Sequence, residues 1–120
     1  MGCTAVSAES GSGDHRIALS CTGSERSGPA HSPASVRDWS ALYEIDLAQR
    51  QYCADDCQQW NPIAEVTDRL FVLHRTVDGG IFIDRASGDY TMSLNFGDLH
   101  AERDAKCRQV APRSDVAPPR

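Results

Sequence analysis

The chain has 120 residues, 12 basic and 17 acidic, giving a net charge of −5 and a pI near 5.2. That balance excludes the basic stripe a nucleic-acid binder needs, and the interspersed signs read as a solvated surface. No apolar run is long enough to cross a membrane as a helix, and the length fits one domain.

Residues 1–14 are rich in Ser and Gly and read as a disordered N-terminal tether. Within them Cys3 follows Gly2, a pair that resembles the cleavage site of bacterial lipoproteins. A lipid anchor through Cys3 is one expectation, and an unmodified cysteine in a tether is the other. The start holds no apolar signal-peptide core, as expected of an exported chain already cut after its signal.

Residues 15–110 form the expected β domain. Its first apolar run, HRIALSC, ends at Cys21. The Ser-, Gly- and Pro-rich stretch 22–40 predicts a long loop. In LYEIDL (42–47), Tyr43, Ile45 and Leu47 fall on one face of a strand. Ile63–Val66 follows Pro62, and Leu70–Leu73 is an apolar run of the buried-strand kind. Asp78-Gly79-Gly80 signals a hairpin before Ile81-Phe82-Ile83. After a second turn at Ala86–Asp89, Tyr90, Met92, Leu94 and Phe96 alternate as a half-buried strand. LHAERDAKC (99–107) reads as a short helix or a polar strand. The Pro-rich residues 111–120 read as a disordered C-terminal tail.

YEIDLAQRQYC (43–53) and IFIDRASGDYT (81–91) share the pattern apolar-x-Ile-Asp-x-Ala-x-x-x-Tyr-x. Ala-Ser-Gly-Asp in the second is a turn, so the first is expected to turn likewise, with Asp46 and Asp84 bonding backbone N–H groups. The fold class is therefore mostly β: an antiparallel meander, small barrel or sandwich of five to seven short strands, stapled by disulfides, with one short helix at most.

Tails and loop leave about 75 residues for a core, a size that is marginal without a staple. Five cysteines in so short a chain fit an oxidising compartment. Without Cys3, four remain, and they allow three pairings. Chain entropy favours Cys21–Cys107 as the main staple, at about 4.6 kcal/mol, with Cys53–Cys57 worth about 2 kcal/mol as a local clip. Cys53 and Cys57 must then sit on a turn, because residues four apart in a strand lie about 13 Å from each other.

ALSCTGS (18–24), YEIDLAQRQYCADDCQQWNPI (43–63), IDRASGDY (83–90) and the late Cys107 together resemble a loose group of small exported bacterial proteins of unknown function. That group shows an early Leu-x-Cys-x-Gly, a close cysteine pair before Pro-Ile, an Asp-Arg-x-x-Gly-x-Tyr hairpin and a closing cysteine. The closing cysteine here stands in Ala-Lys-Cys, where the group has Gly-x-Cys. The resemblance implies a periplasmic or cell-envelope location and the β architecture, and it implies no activity.

No common catalytic signature is present: no Gly-x-Ser-x-Gly, His-Glu-x-x-His, P-loop or Gly-x-Gly-x-x-Gly. Three expectations remain. The first is a non-catalytic exported binding or envelope-associated module for an unknown protein or envelope ligand, with Trp39 and Trp60 as its binding surface. Inhibition of a lytic enzyme is one form of it, and the bland alternative is that both tryptophans cap the core. The second is a small secreted hydrolase built on His74 near Asp46 or Asp84. The third is a metal or redox protein using Cys53, Cys57 and His74 or His100. The first implies no cofactor.

Overall fold

The structure, a computed structural model, describes residues 15–29, 35–113, 115, 116 and 118. Among them it contains nine strands: β1 Arg16–Pro29, β2 Ser35–Asp46, β3 Gln51–Ala54, β4 Asn61–Pro62, β5 Glu65–Val66, β6 Leu70–Thr76, β7 Gly79–Asp84, β8 Asp89–Phe96 and β9 Leu99–Val110. All pair antiparallel in one sheet, in the order β4-β3-β2-β1-β9-β8-β7-β6-β5. Each strand pairs with its successor except β4, and the last strand closes back on the first. β9 returns to pair with β1 over Ala18–Pro29, and β4 and β5 stand at opposite edges. Only Ile63 and Ala64 join those two edges. So short a link forces the sheet to curl until its edges approach, because the chain advances about 3.3 Å per residue. The result is a half-barrel.

The concave face holds the core. Along β1 it takes Ile17, Leu19 and Cys21; along β2, Tyr43 and Ile45; along β8, Tyr90 and Met92, all essentially buried. The two-residue period of a strand puts these side chains on one face. Cys21 and Cys107 are direct partners on β1 and β9 and form one disulfide. Cys53 and Cys57 form the other across a turn in which Asp55 and Cys57 have φ of 58° and 56°. Disulfides belong to oxidising settings, so the two bonds indicate a non-cytoplasmic location.

The internal repeat is a pair of like hairpins. Ile45 pairs with Tyr52, and Ile83 with Tyr90. Asp46 Oδ1 accepts from the Gln49 N–H at 2.8 Å; Asp84 Oδ1 accepts from those of Ala86 and Ser87 at 2.8 and 3.0 Å. Four residues beyond each Asp the chain turns left-handed, at Arg50 (φ 56°) and Gly88 (φ 82°).

Two sequence expectations are corrected, and one alternative left open is decided. Residues 22–40 are mainly strand: β1 runs on to Pro29 and β2 begins at Ser35, as the two arms of a hairpin. Of the two readings of residues 99–107, short helix or polar strand, the strand holds: they lie within β9, where Ala101, Arg103, Ala105 and Cys107 alternate on the concave face between β1 and β8. Tertiary pairing there overrides helical propensity. The strand total exceeds seven for the same reason and because two-residue strands occur at both edges. In the expected tail, Arg113 and Val116 are docked on the convex face, as described below. The tether 1–14 lies outside the described residues.

Candidate functional site

Two buried glutamates organise the polar chemistry, one on each face of the sheet. Glu25 continues the concave phase of Ile17, Leu19 and Cys21 and is 5 % exposed. Its Oε1 accepts from Arg37 Nε and NH2 at 2.9 and 2.6 Å, and its Oε2 from Arg103 Nε at 2.7 Å. The Arg103 hydrogen bond is the largest influence, and with Arg37 it holds the Glu25 carboxyl below its ordinary range against the opposing effect of burial. For Arg103 burial favours the neutral form, but its bonds to Glu25 and Tyr90 outweigh that and keep it firmly charged. The Arg103 guanidinium lies 4.7 Å over the Trp39 ring, and Trp39 packs on Tyr90 with centroids 4.8 Å apart. Tyr90 Oη shares a 2.8 Å hydrogen bond with Tyr43 Oη. Burial, then the neighbouring Tyr90, pushes the Tyr43 hydroxyl far above its ordinary pKa. The chain Tyr43–Tyr90–Arg103–Glu25–Arg37 thus runs from the apolar core to the open end of the half-barrel.

Glu44 lies between Tyr43 and Ile45, on the convex face, and is 0 % exposed. Arg16 NH2 donates to its Oε1 at 3.0 Å; the Arg113 backbone N–H and Nε donate to its Oε2 at 3.1 and 3.0 Å. Arg16 sits 5.5 Å over the Trp60 ring and also donates to the Val116 carbonyl at 3.2 Å. Arg113 NH2 donates to Cys57 Sγ at 3.2 Å. Each cluster is therefore one carboxylate between two guanidiniums, with a tryptophan under one of them. Each also carries one positive charge in excess, so both carboxylates are fully neutralised within the fold.

Trp39 and Trp60, expected to share a surface, stand on opposite faces. His74 makes no hydrogen bond or ion pair to Asp46 or Asp84 among the described residues. His100 Nδ1 bonds Asn95 Oδ1 at 2.6 Å and its Nε2 bonds Glu102 Oε2 at 2.8 Å. Cys53 and Cys57 are taken up by their disulfide, so neither offers a thiolate to a metal. Cys3 lies outside the described residues.

Comparison with protein-family models, curated proteins and solved structures finds no match for this chain.

Sequence reasoning did not single out Glu25, Glu44, Arg37 or Arg103. For Glu25 the signal was its phase: it is four residues beyond Cys21 on an even count, as Arg103 is four before Cys107. Two exposed apolar groups were equally silent. Phe96 and Leu99 are direct partners at the β8–β9 tip, 60 % and 54 % exposed, and Leu99 also pairs with Pro29 at the end of β1. Val36, 60 % exposed near the start of β2, falls in the phase of Glu44 on the convex face, whereas Phe96 and Leu99 fall in the concave phase. On β1 and β2, Thr22, Gly23, Asp38, Trp39 and Ser40 line an open hollow of 490 Å³.

Proposed function

We propose that this protein is a non-catalytic binding module that works in the periplasm or cell envelope, with Cys3 as its lipid anchor. The observation that carries the reading is the exposed pair Phe96 and Leu99 at the β8–β9 tip of a disulfide-tied half-barrel. Small folded domains usually bury such side chains, and exposed groups of them mark interaction surfaces. The buried charges support the same view, because Glu25 and Glu44 are each held in ion pairs with two arginines of the fold. Inhibition of a lytic enzyme is a specific form of this function.

The test is photo-crosslinking in an exporting bacterial host, with a benzophenone side chain replacing Phe96. The expected result is a discrete adduct with an envelope component, lost on Leu99→Asp, and a lipid mass on the Cys3 peptide. A protein recovered unmodified from the cytosol, with no adduct, overturns the reading.

A further inference from the structure

β2 is far longer than its outer neighbour. It spans Ser35–Asp46, but β3 pairs only with Tyr43–Asp46. Asp55 then brackets Leu42, donating its N–H to the Leu42 carbonyl at 2.7 Å and accepting the Leu42 N–H on Oδ1 at 3.1 Å. Beyond it, Ser35–Ala41 pairs with β1 on one side and, among the described residues, with no strand on the other.

The direction of the free groups follows from Leu42. Its N–H and C=O point away from β1, and the β1–β2 register runs without a bulge. Backbone groups alternate sides along a strand, so Val36, Asp38 and Ser40 also aim theirs outward. Three donors and three acceptors in a row make a template for one more strand. The 490 Å³ hollow lies over the neighbouring β1–β2 ladder, lined by Thr22 and Gly23 as well as Asp38, Trp39 and Ser40.

We infer that the free edge of β2 receives an extended segment of a partner protein as an added strand. The inference rests on the binding-module reading and names its binding edge. The side chains beside the edge set the partner's chemistry. On the concave face stand Trp39 and Arg37, whose side chain is 74 % exposed and belongs to a cluster with one positive charge in excess. A strand that fits carries an apolar residue opposite Trp39 and an acidic one opposite Arg37, two positions apart. A second copy fits less well: a two-fold centred on Arg37 or Asp38 sets like charges opposite each other, and the chain already carries −5.

The test uses a random peptide library displayed on phage, selected against the whole protein, followed by amide exchange on the selected peptide's complex. Enriched peptides are expected to show an apolar and an acidic residue two apart and to slow exchange at Val36, Asp38 and Ser40. Asp38→Pro removes an outward N–H without touching the bonds to β1 and suits an edge strand, so the fold is kept. It should weaken peptide binding by about tenfold or more, while Asp38→Ala, which keeps the N–H, stays near wild type. Peptides that bind Asp38→Pro as well as wild type, protection elsewhere, or no enrichment at all overturn the edge site. A dimer that Asp38→Pro dissolves overturns the choice of partner. None of these touches the crosslinking test at Phe96, so the module reading stands or falls separately.

Discussion

Removing the Cys21–Cys107 disulfide is the sharpest test of how the fold is held. The bond lies on the β1–β9 pairing, the one ladder that joins the first four strands to the last five. Its partners are 86 residues apart in sequence, against 4 for Cys53–Cys57. The chain-entropy relation then gives about 4.6 kcal/mol for the long loop and about 2 kcal/mol for the short one. Both are upper figures. The Cys21→Ala/Cys107→Ala variant should therefore lose close to half the stability of an ordinary domain. In urea, with a slope of about 1.5 kcal/mol per M, its unfolding midpoint should fall by about 3 M. The Cys53→Ala/Cys57→Ala variant should fall by about half as much. Equal losses, or a larger loss for the short bridge, would refute the loop-length argument and locate the stabilisation in native contacts instead.

Three further outcomes follow from the clusters and the hairpins. Tyr90→Phe strands the buried Tyr43 hydroxyl and should cost about 1–3 kcal/mol in urea melts, whereas adding Tyr43→Phe should recover part of that loss. Glu25 has a folded pKa below its unfolded value, so its contribution is present above about pH 4.3 and disappears as pH falls through the folded value. Acid melts of Glu25→Gln should accordingly show a shallower stability loss below pH 4.3 than wild type, and parallel curves would contradict this. Gly88→Ala should cost more than 1 kcal/mol, since φ is 82° and a Cβ would strike the Cys107 carbonyl, while Arg50→Gly at the matching turn should gain up to about 1 kcal/mol, both read as shifts in melting temperature.

The parts of the fold that were legible in the sequence are those where side-chain chemistry and backbone geometry act locally. Tyr90, Met92 and Leu94 advertise one inward face by alternation, which Phe96 continues past the core into solvent. The shared Ile-Asp and Tyr positions announce two hairpins, because an Asp at the strand end bonds the next N–H groups wherever it occurs. The chain-entropy choice of disulfides agrees with the bonds present. Residues 22–29 and 35–40 were illegible for a physical reason. They extend beyond the core, so they show no apolar alternation, and their strands are held by the ladders to each other and to β9. Glycine within them looked like a loop signal, yet a Cβ at Gly23 would fall into the backbone of Asp104 and Ala105, so the residue marks a close strand approach. The Glu25 and Glu44 clusters draw arginines from the far end of the chain, at 103 and 113, and no local pattern encodes such a meeting.

The Ile63–Ala64 link has a consequence for proteolysis. Ala64 is exposed, and the link carries no ladder of its own. A single cut between these residues would leave β1–β4 on one fragment and β5–β9 on the other, with Cys21 on the first and Cys107 on the second. The nicked protein would persist as a two-chain molecule, zipped along β1 and β9 and covalently closed, and would separate only on reduction and unfolding together.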